Sequence, residues 1–173
     1  MAKITLVLGG ARSGKSSFAE NMAKHYRTVV YAATAEIKDD EMRERIRIHR
    51  ERRPSHWQTV ESPYDLEKVV FEQDKKAALV FIDCITLYIT NLLLRLENQD
   101  SSQIIDKIHK LCRICEEITP DVIIVSNEVG LGIVPENALA RHFLDIAGSV
   151  NQILAQHATE VYFVVSGIAQ KIK

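Results

Sequence analysis

The chain has only three cysteines, four prolines and one tryptophan in 173 residues. Three thiols cannot build a disulfide framework, and so few suit a reducing compartment such as the cytoplasm. Cys112 and Cys115 have C-x-x-C spacing, but no second pair accompanies them and they fall inside a helical pattern. They therefore read as two half-buried thiols rather than a metal or redox site. Neither sign of charge dominates: 22 basic and 23 acidic residues leave a net charge of -1. Nothing steers the whole molecule toward nucleic acid or an acidic membrane, and any basic site must be local. The first residues lack the layout of a signal peptide. The longest apolar stretch, 77–94, contains Asp83 and Asn91, which would be costly in lipid. It reads as a buried strand and a helix, with no membrane span.

What the chain does have is 46% hydrophobic and 26% charged residues, the balance of an ordinary globular protein. Residues 3–8, 28–34, 79–84, 122–125 and 161–165 are short apolar runs that read as buried strands. Residues 15–26, 39–53, 63–73, 85–94, 104–118 and 139–154 carry helical patterns between them. Asp39 and Asp40 open the second of these, and Pro54 closes it. Residues 98–102 are polar and turn-like. Strands alternating with amphipathic helices predict an α/β fold, with a mainly parallel sheet and helices on both faces. The chain shows no internal repeat, low-complexity tract or linker, so one domain over 1–173 is the simplest organisation.

Gly9-Gly10-Ala11-Arg12-Ser13-Gly14-Lys15-Ser16 fits the phosphate-loop pattern G-x-x-x-x-G-K-[ST], between a buried strand and a helix. Glycines let the backbone curl so that its N–H groups converge on phosphate oxygens, and the helix N-terminus adds positive potential. Lys15 can reach the outer phosphates, and the Ser16 hydroxyl can bind Mg²⁺. A glycine turn that only caps a helix is the bland alternative, and the strand–loop–helix setting weighs against it. Asp83 ends the third strand. A carboxylate there, beside the first strand, suits a Mg²⁺ partner, while an N-cap for the next helix is the other reading. Asn127 and Glu128 stand at the end of the fourth strand, where open α/β sheets bind ligands, and loop capping suits them equally.

The segment 39–53 holds Arg43, Arg45, Arg47, Arg50, Arg52 and Arg53. Met42, Ile46 and His49 recur at spacings of four and three, so His49 shares a face with the apolar residues. A solvated helix with pairs such as Glu41 and Arg45 is one reading. A nucleic-acid surface fits poorly with neutral total charge and without clustered aromatics. The third reading is a phosphate site, since arginine forks bind phosphate and a nearby imidazole can act as nucleophile or base. Chemistry alone does not separate His49 from His56.

Several stretches together resemble one family. They are GGARSGKS at 9–16, YAATAE at 31–36, DDEMRERIRIHRERRPSHWQTVE at 39–61, DCITLYITNLLL at 83–94, SNEVGLGIVPENALARHFLDIAGSVNQILA at 126–155, and the closing SGIAQKIK. In that order they resemble the bifunctional adenosylcobinamide kinase / adenosylcobinamide-phosphate guanylyltransferase family of cobalamin biosynthesis. The phosphate loop is generic; the H-R-x-x-R-P-x-x-W and N-E-V-G-x-G-I-V-P segments are specific. Ala32 stands where the family commonly has isoleucine, a change that touches packing.

The resemblance implies phosphorylation of adenosylcobinamide by ATP or GTP, then transfer of GMP from GTP to the resulting phosphate. It implies that His49 carries GMP as a phosphoramidate, which selects it over His56. It further implies that residues Thr34, Ala35, Glu36, Arg50, Glu51, Arg52, Arg53, Glu61 and Asp83 contact nucleotide, with Glu61 suited to guanine N–H groups. A RecA-like sheet and a homotrimer are also implied. Because His49 lies on a different element from the phosphate loop, the arginine helix is expected to move when GTP binds.

Overall fold

Period-two alternation along the strands decides which helix meets which face of the sheet. The computed structural model describes residues 2–37, 39–95 and 100–173, without the side chains of Glu41, Arg45 and Arg52. Strands β1 (Ile4–Gly9), β2 (Val29–Ala33), β3 (Gln58–Glu61), β4 (Leu79–Asp83), β5 (Asp121–Asn127), β6 (Glu160–Val165) and β7 (Ile168–Lys171) form one sheet. Its order is β3-β2-β4-β5-β1-β6-β7. Every neighbouring pair is parallel except β6 with β7.

The helices are α1 (Lys15–Ala23), α2 (Asp40–Arg52), α3 (Leu66–Glu72), α4 (Ile85–Leu93), α5 (Ser102–Glu117) and α6 (Ala138–His157). Ile4, Leu6 and Leu8 of β1, with Val80, Ile82, Val122 and Ile124, point to one side. There they pack against Leu66 and Val70 of α3, Ile85 and Ile89 of α4, Ile108 and Leu111 of α5, and Ile146 and Val150 of α6. Val7, Tyr31, Phe81, Ile123 and Val125 point to the other side, against Ala19 and Ala23 of α1 and against Trp57. Each fully buried Leu, Ile or Val contributes roughly 1.5–3 kcal/mol, so these two layers fix the sheet and five of the helices. Helix α2 belongs to neither layer, and none of its described residues is buried.

The five expected strands and six expected helices are present, with differences that have physical causes. Two short strands, β3 and β7, were not legible as apolar runs. Helix α1 ends at Ala23 rather than 26, and α3 begins at Leu66 rather than 63. The expected turn at 98–102 falls partly outside the described residues. Cys112 and Cys115 are 2% and 0% exposed, not half-buried. Burial, with Glu116 nearby, pushes the Cys112 thiol up to about 12. The strand that ends in Asp83 does not lie beside β1, as had been expected; β5 is inserted between them. No helix among the described residues is long and apolar enough to cross a membrane.

Candidate functional site

Parallel pairing brings the carboxyl ends of the strands to one edge of the sheet, and the register levels them. Ala33 of β2 pairs with Glu61 on one side and Asp83 on the other, and Gly9 pairs with Asn127. Residues two apart share a face. Tyr31 and Ala33, Thr59 and Glu61, and Asp83 therefore all present themselves on the α1 side. The N-terminus of α1 brings Lys15 and Ser16 to the same edge, and α2 closes over it with Met42, Ile46 and His49. The result is a cavity of about 380 Å³ that all of these residues line. That volume lies within the range of roughly 300–1,000 Å³ common to small-molecule sites.

Close packing shapes the phosphate loop. A Cβ on Gly9 would lie 2.6 Å from the carbonyl oxygen of Val164 and 2.5 Å from Ser13 Oγ. Gly14 caps α1 with φ +93°, the left-handed region that favours glycine. It offers no side-chain cap, which leaves the first N–H groups of the helix for an anion. Lys15 Nζ donates to the carbonyl of Gly10 at 3.2 Å and so lies folded across the loop. Gly9, Gly10, Ala11, Arg12, Ser13 and Gly14 form this loop but do not line the cavity wall themselves.

Asp83 is half-buried, and its Oδ2 accepts a hydrogen bond from the Tyr31 hydroxyl at 2.6 Å. Burial first, and then the Asp83 charge, hold the Tyr31 phenol well above its ordinary range, so it stays a donor. Cys84 follows Asp83 through a cis peptide bond. Its thiol is pushed up to about 11 by burial and by Asp83, which makes it a poor nucleophile. Asp83 and Ser16 supply hard oxygen donors on one cavity. Mg²⁺ takes one or two protein oxygens and completes its shell with phosphates and water, so this donor set fits it. Among the described residues no group of three or more His, Cys, Asp or Glu could form an all-protein cage.

The structure brings Lys15, Ser16, Ala35, Glu36, His49, Arg50, Arg53, Glu61 and Asp83 to the cavity. Glu36 accepts a hydrogen bond from the Tyr64 hydroxyl at 2.7 Å. Thr34 is fully buried and braces the backbone instead. Its hydroxyl donates to the Cys84 carbonyl at 2.7 Å and accepts from the Cys84 N–H at 2.8 Å. Glu51 is exposed and pairs with Arg47, away from the cavity. The Arg52 side chain lies outside the described residues. His56 is exposed and does not line the cavity, whereas His49 does. Asn127 lines it and donates to Thr86 Oγ1 at 2.7 Å. Glu128 caps its own loop, accepting from the Gly130 N–H at 2.7 Å.

Sequence reasoning missed Tyr31 and Thr59. An aromatic inside an apolar run reads as core, and Thr59 depends on a strand with no apolar signal. The only hint for Tyr31 was a hydroxyl in an otherwise apolar strand.

The chain is 46% identical to "Bifunctional adenosylcobalamin biosynthesis protein CobU" of Escherichia coli, over 97% of this chain and 98% of that protein. The protein of the same name in Salmonella typhimurium is similar to the same degree. "Bifunctional adenosylcobalamin biosynthesis protein CobP" of Pseudomonas aeruginosa is 40% identical, over 97% of this chain and 96% of its own. Residues 5–172 match the CobU family model, described as cobinamide kinase / cobinamide phosphate guanyltransferase, and the chain belongs to that family.

Proposed function

We propose that this protein carries out both reactions of its family on one nucleotide site. It phosphorylates adenosylcobinamide with ATP or GTP. It then transfers GMP from GTP to adenosylcobinamide phosphate, giving adenosylcobinamide-GDP and pyrophosphate. The observation that carries this reading is the convergence of Lys15, Ser16, Asp83 and His49 on one cavity.

In the transfer, a neutral His49 ring nitrogen attacks the α-phosphorus of GTP. A P–N bond forms, the bond to the β-phosphate oxygen breaks, and pyrophosphate leaves. An oxygen of adenosylcobinamide phosphate then attacks the same phosphorus, the P–N bond breaks, and His49 is regenerated. Covalent catalysis thus divides one transfer into two displacements. Lys15 and the loop N–H groups stabilise charge on the phosphates. A Mg²⁺ held by Asp83 and Ser16 would neutralise phosphate oxygens further. Arg50 and Arg53 take nucleotide phosphates, Ala35 and Glu36 border the nucleotide, and Glu61 accepts from guanine N–H groups. Thr34, Glu51 and Arg52 belong to the same nucleotide-binding segments. The working assembly is a homotrimer in the cytoplasm.

The test is incubation with α-³²P-GTP and Mg²⁺, followed by assay for acid-labile, base-stable protein label. Label that vanishes in His49→Ala, with cobinamide phosphorylation retained, is expected. GTP binding without label would leave a kinase with no nucleotidyl transfer.

A further inference from the structure

One side chain outside the proposed machinery touches both halves of it. Tyr31 is 3% exposed, and its ring stacks on Phe81 with centroids 5.1 Å apart and planes 12° apart. Its hydroxyl donates to Asp83 Oδ2 at 2.6 Å. No hydrogen bond to Asp83 Oδ1 occurs among the described residues. The opposite contact is to the residue that follows α2: the Arg53 guanidinium carbon lies 3.6 Å from the centroid of the Tyr31 ring. Arg53 Nε in turn donates to the backbone carbonyl of His49 at 3.0 Å, and Nη1 to Thr59 Oγ1 at 3.3 Å. Arg53 therefore ties the turn that carries His49 to the edge of the sheet. The ion pairs of Arg43 with Asp40, and of Arg47 with Glu44 and Glu51, stay inside the helix.

A purely structural residue at this strand position has no need of a hydroxyl, because a buried phenol is costly unless it is bonded. Here the bond goes to a cavity carboxylate. A charge-assisted hydrogen bond of this kind restricts the carboxylate to one orientation. The ring face, meanwhile, supplies a seat for a guanidinium.

We propose that Tyr31 is a positioning residue for both reactions. Its hydroxyl orients Asp83, and its ring seats Arg53 and thereby the His49 turn. The inference rests on the roles proposed above for Asp83 and His49.

Two variants separate the two contacts. Tyr31→Phe keeps the ring and removes the hydroxyl; Tyr31→Leu removes both. Three quantities are read: Mn²⁺ affinity of the GTP complex by electron paramagnetic resonance, the rate of protein labelling from α-³²P-GTP, and cobinamide phosphorylation. Melting temperature and metal-free GTP affinity serve as controls. Tyr31→Phe is expected to lose roughly 10–100-fold in Mn²⁺ affinity and in both rates, the usual effect of losing an orienting partner, with the controls unchanged. Tyr31→Leu is expected to lose labelling by roughly a further tenfold, while phosphorylation falls no further than in Tyr31→Phe. Should Tyr31→Leu not fold, Tyr31→Met replaces it, filling the same strand position without an aromatic face. Wild-type Mn²⁺ affinity in Tyr31→Phe overturns the proposal, and so does equal labelling in the two variants. Loss of rate only in proportion to a lowered melting temperature does the same. A wild-type protein that takes no label instead removes the His49 reading and the Arg53 contact with it, and the Mn²⁺ result still decides the Asp83 contact.

Discussion

Gly167 donates its backbone N–H to the carbonyl of Ser13 at 2.7 Å, which fastens the β6–β7 turn to the phosphate loop. Ser166 and Gly167 have φ of 52° and 81°, the left-handed pair that a two-residue hairpin turn requires. A Cβ on Gly14 would lie 3.1 Å from Gly167 Cα. The phosphate loop thus rests on a floor made by the last hairpin, over 150 residues away in sequence, as well as on its own turns.

Neighbouring glycines should then behave differently. Gly9→Ala drives a methyl into the Val164 carbonyl and Ser13 Oγ, and overpacking of this kind costs about 1–3 kcal/mol. A Cβ on Gly10 meets nothing within 4 Å, so Gly10→Ala is expected to keep the wild-type melting temperature. Thermal unfolding of the two variants checks this, and equal melting temperatures would contradict it.

Glu67 gives a pH-dependent prediction. Burial acts to raise its carboxyl, but hydrogen bonds from Lys107 at 2.8 Å, from its own backbone and from Tyr88 at 2.9 Å outweigh that and lower it. A carboxylate lowered on folding stabilises the protein above its unfolded value, and that stability is lost as pH falls through the folded value. Lys107 remains 33% exposed, so the pair is discounted for screening. Glu67→Gln is expected to lose about 1–2 kcal/mol at neutral pH, and progressively less as acid protonates the wild-type carboxyl. Urea unfolding at neutral and acid pH measures it. An undiminished difference in acid would show that the charge is not the source.

The central strands and the phosphate loop were legible because their signals are local: uniformly apolar runs for β1, β4 and β5, and a fixed glycine spacing. Edge strands have no such signal. Gln58, Thr59 and Glu61 of β3 are exposed and only Val60 is half-buried, so its four residues look like loop. In β7 the clue was the Ser166-Gly167 turn rather than the strand. Strand order was not legible either. The insertion of β5 between β1 and β4 depends on long-range pairing, yet it decides how Asp83 faces Lys15. In the sequence only the family resemblance separates His49 from His56, since both sit near the end of one charged segment; the fold turns His49 toward the cavity.

An exposed apolar loop bears on assembly. Leu131, Ile133 and Val134, in the loop after β5, are 80%, 96% and 70% exposed. Contiguous exposed apolar residues mark interaction surfaces. If the working form is a homotrimer, light scattering will give three times the 19.6 kDa chain mass. Ile133→Asp is then expected to shift that mass toward the monomer without unfolding the chain. A wild-type monomer at micromolar concentration would refute the assembly.

Helix α2 supports itself along its length and is anchored to the sheet only at its C-terminal end, where Arg53 meets Tyr31 and Thr59. Asp39 caps it, accepting from the Met42 N–H at 2.7 Å, and its ion pairs are internal, so it carries its own support. Exposed pairs of this kind add little to stability, and no described residue of α2 is buried. Little apolar area therefore resists a pivot of the helix about its Arg53 anchor, while six arginines in the segment favour approach to bound phosphate. GTP binding is expected to shift α2 so that His49 lines up with the α-phosphorus. The three native cysteines are buried, so spin labels on Arg43→Cys in α2 and Lys110→Cys in α5 can report the distance in chains diluted with unlabelled protein. A change of several ångströms on adding GTP is the expected outcome. An unchanged distance, in a protein that still takes the GMP label, would mean that His49 reaches the nucleotide from its resting position and that α2 is a fixed wall of the site.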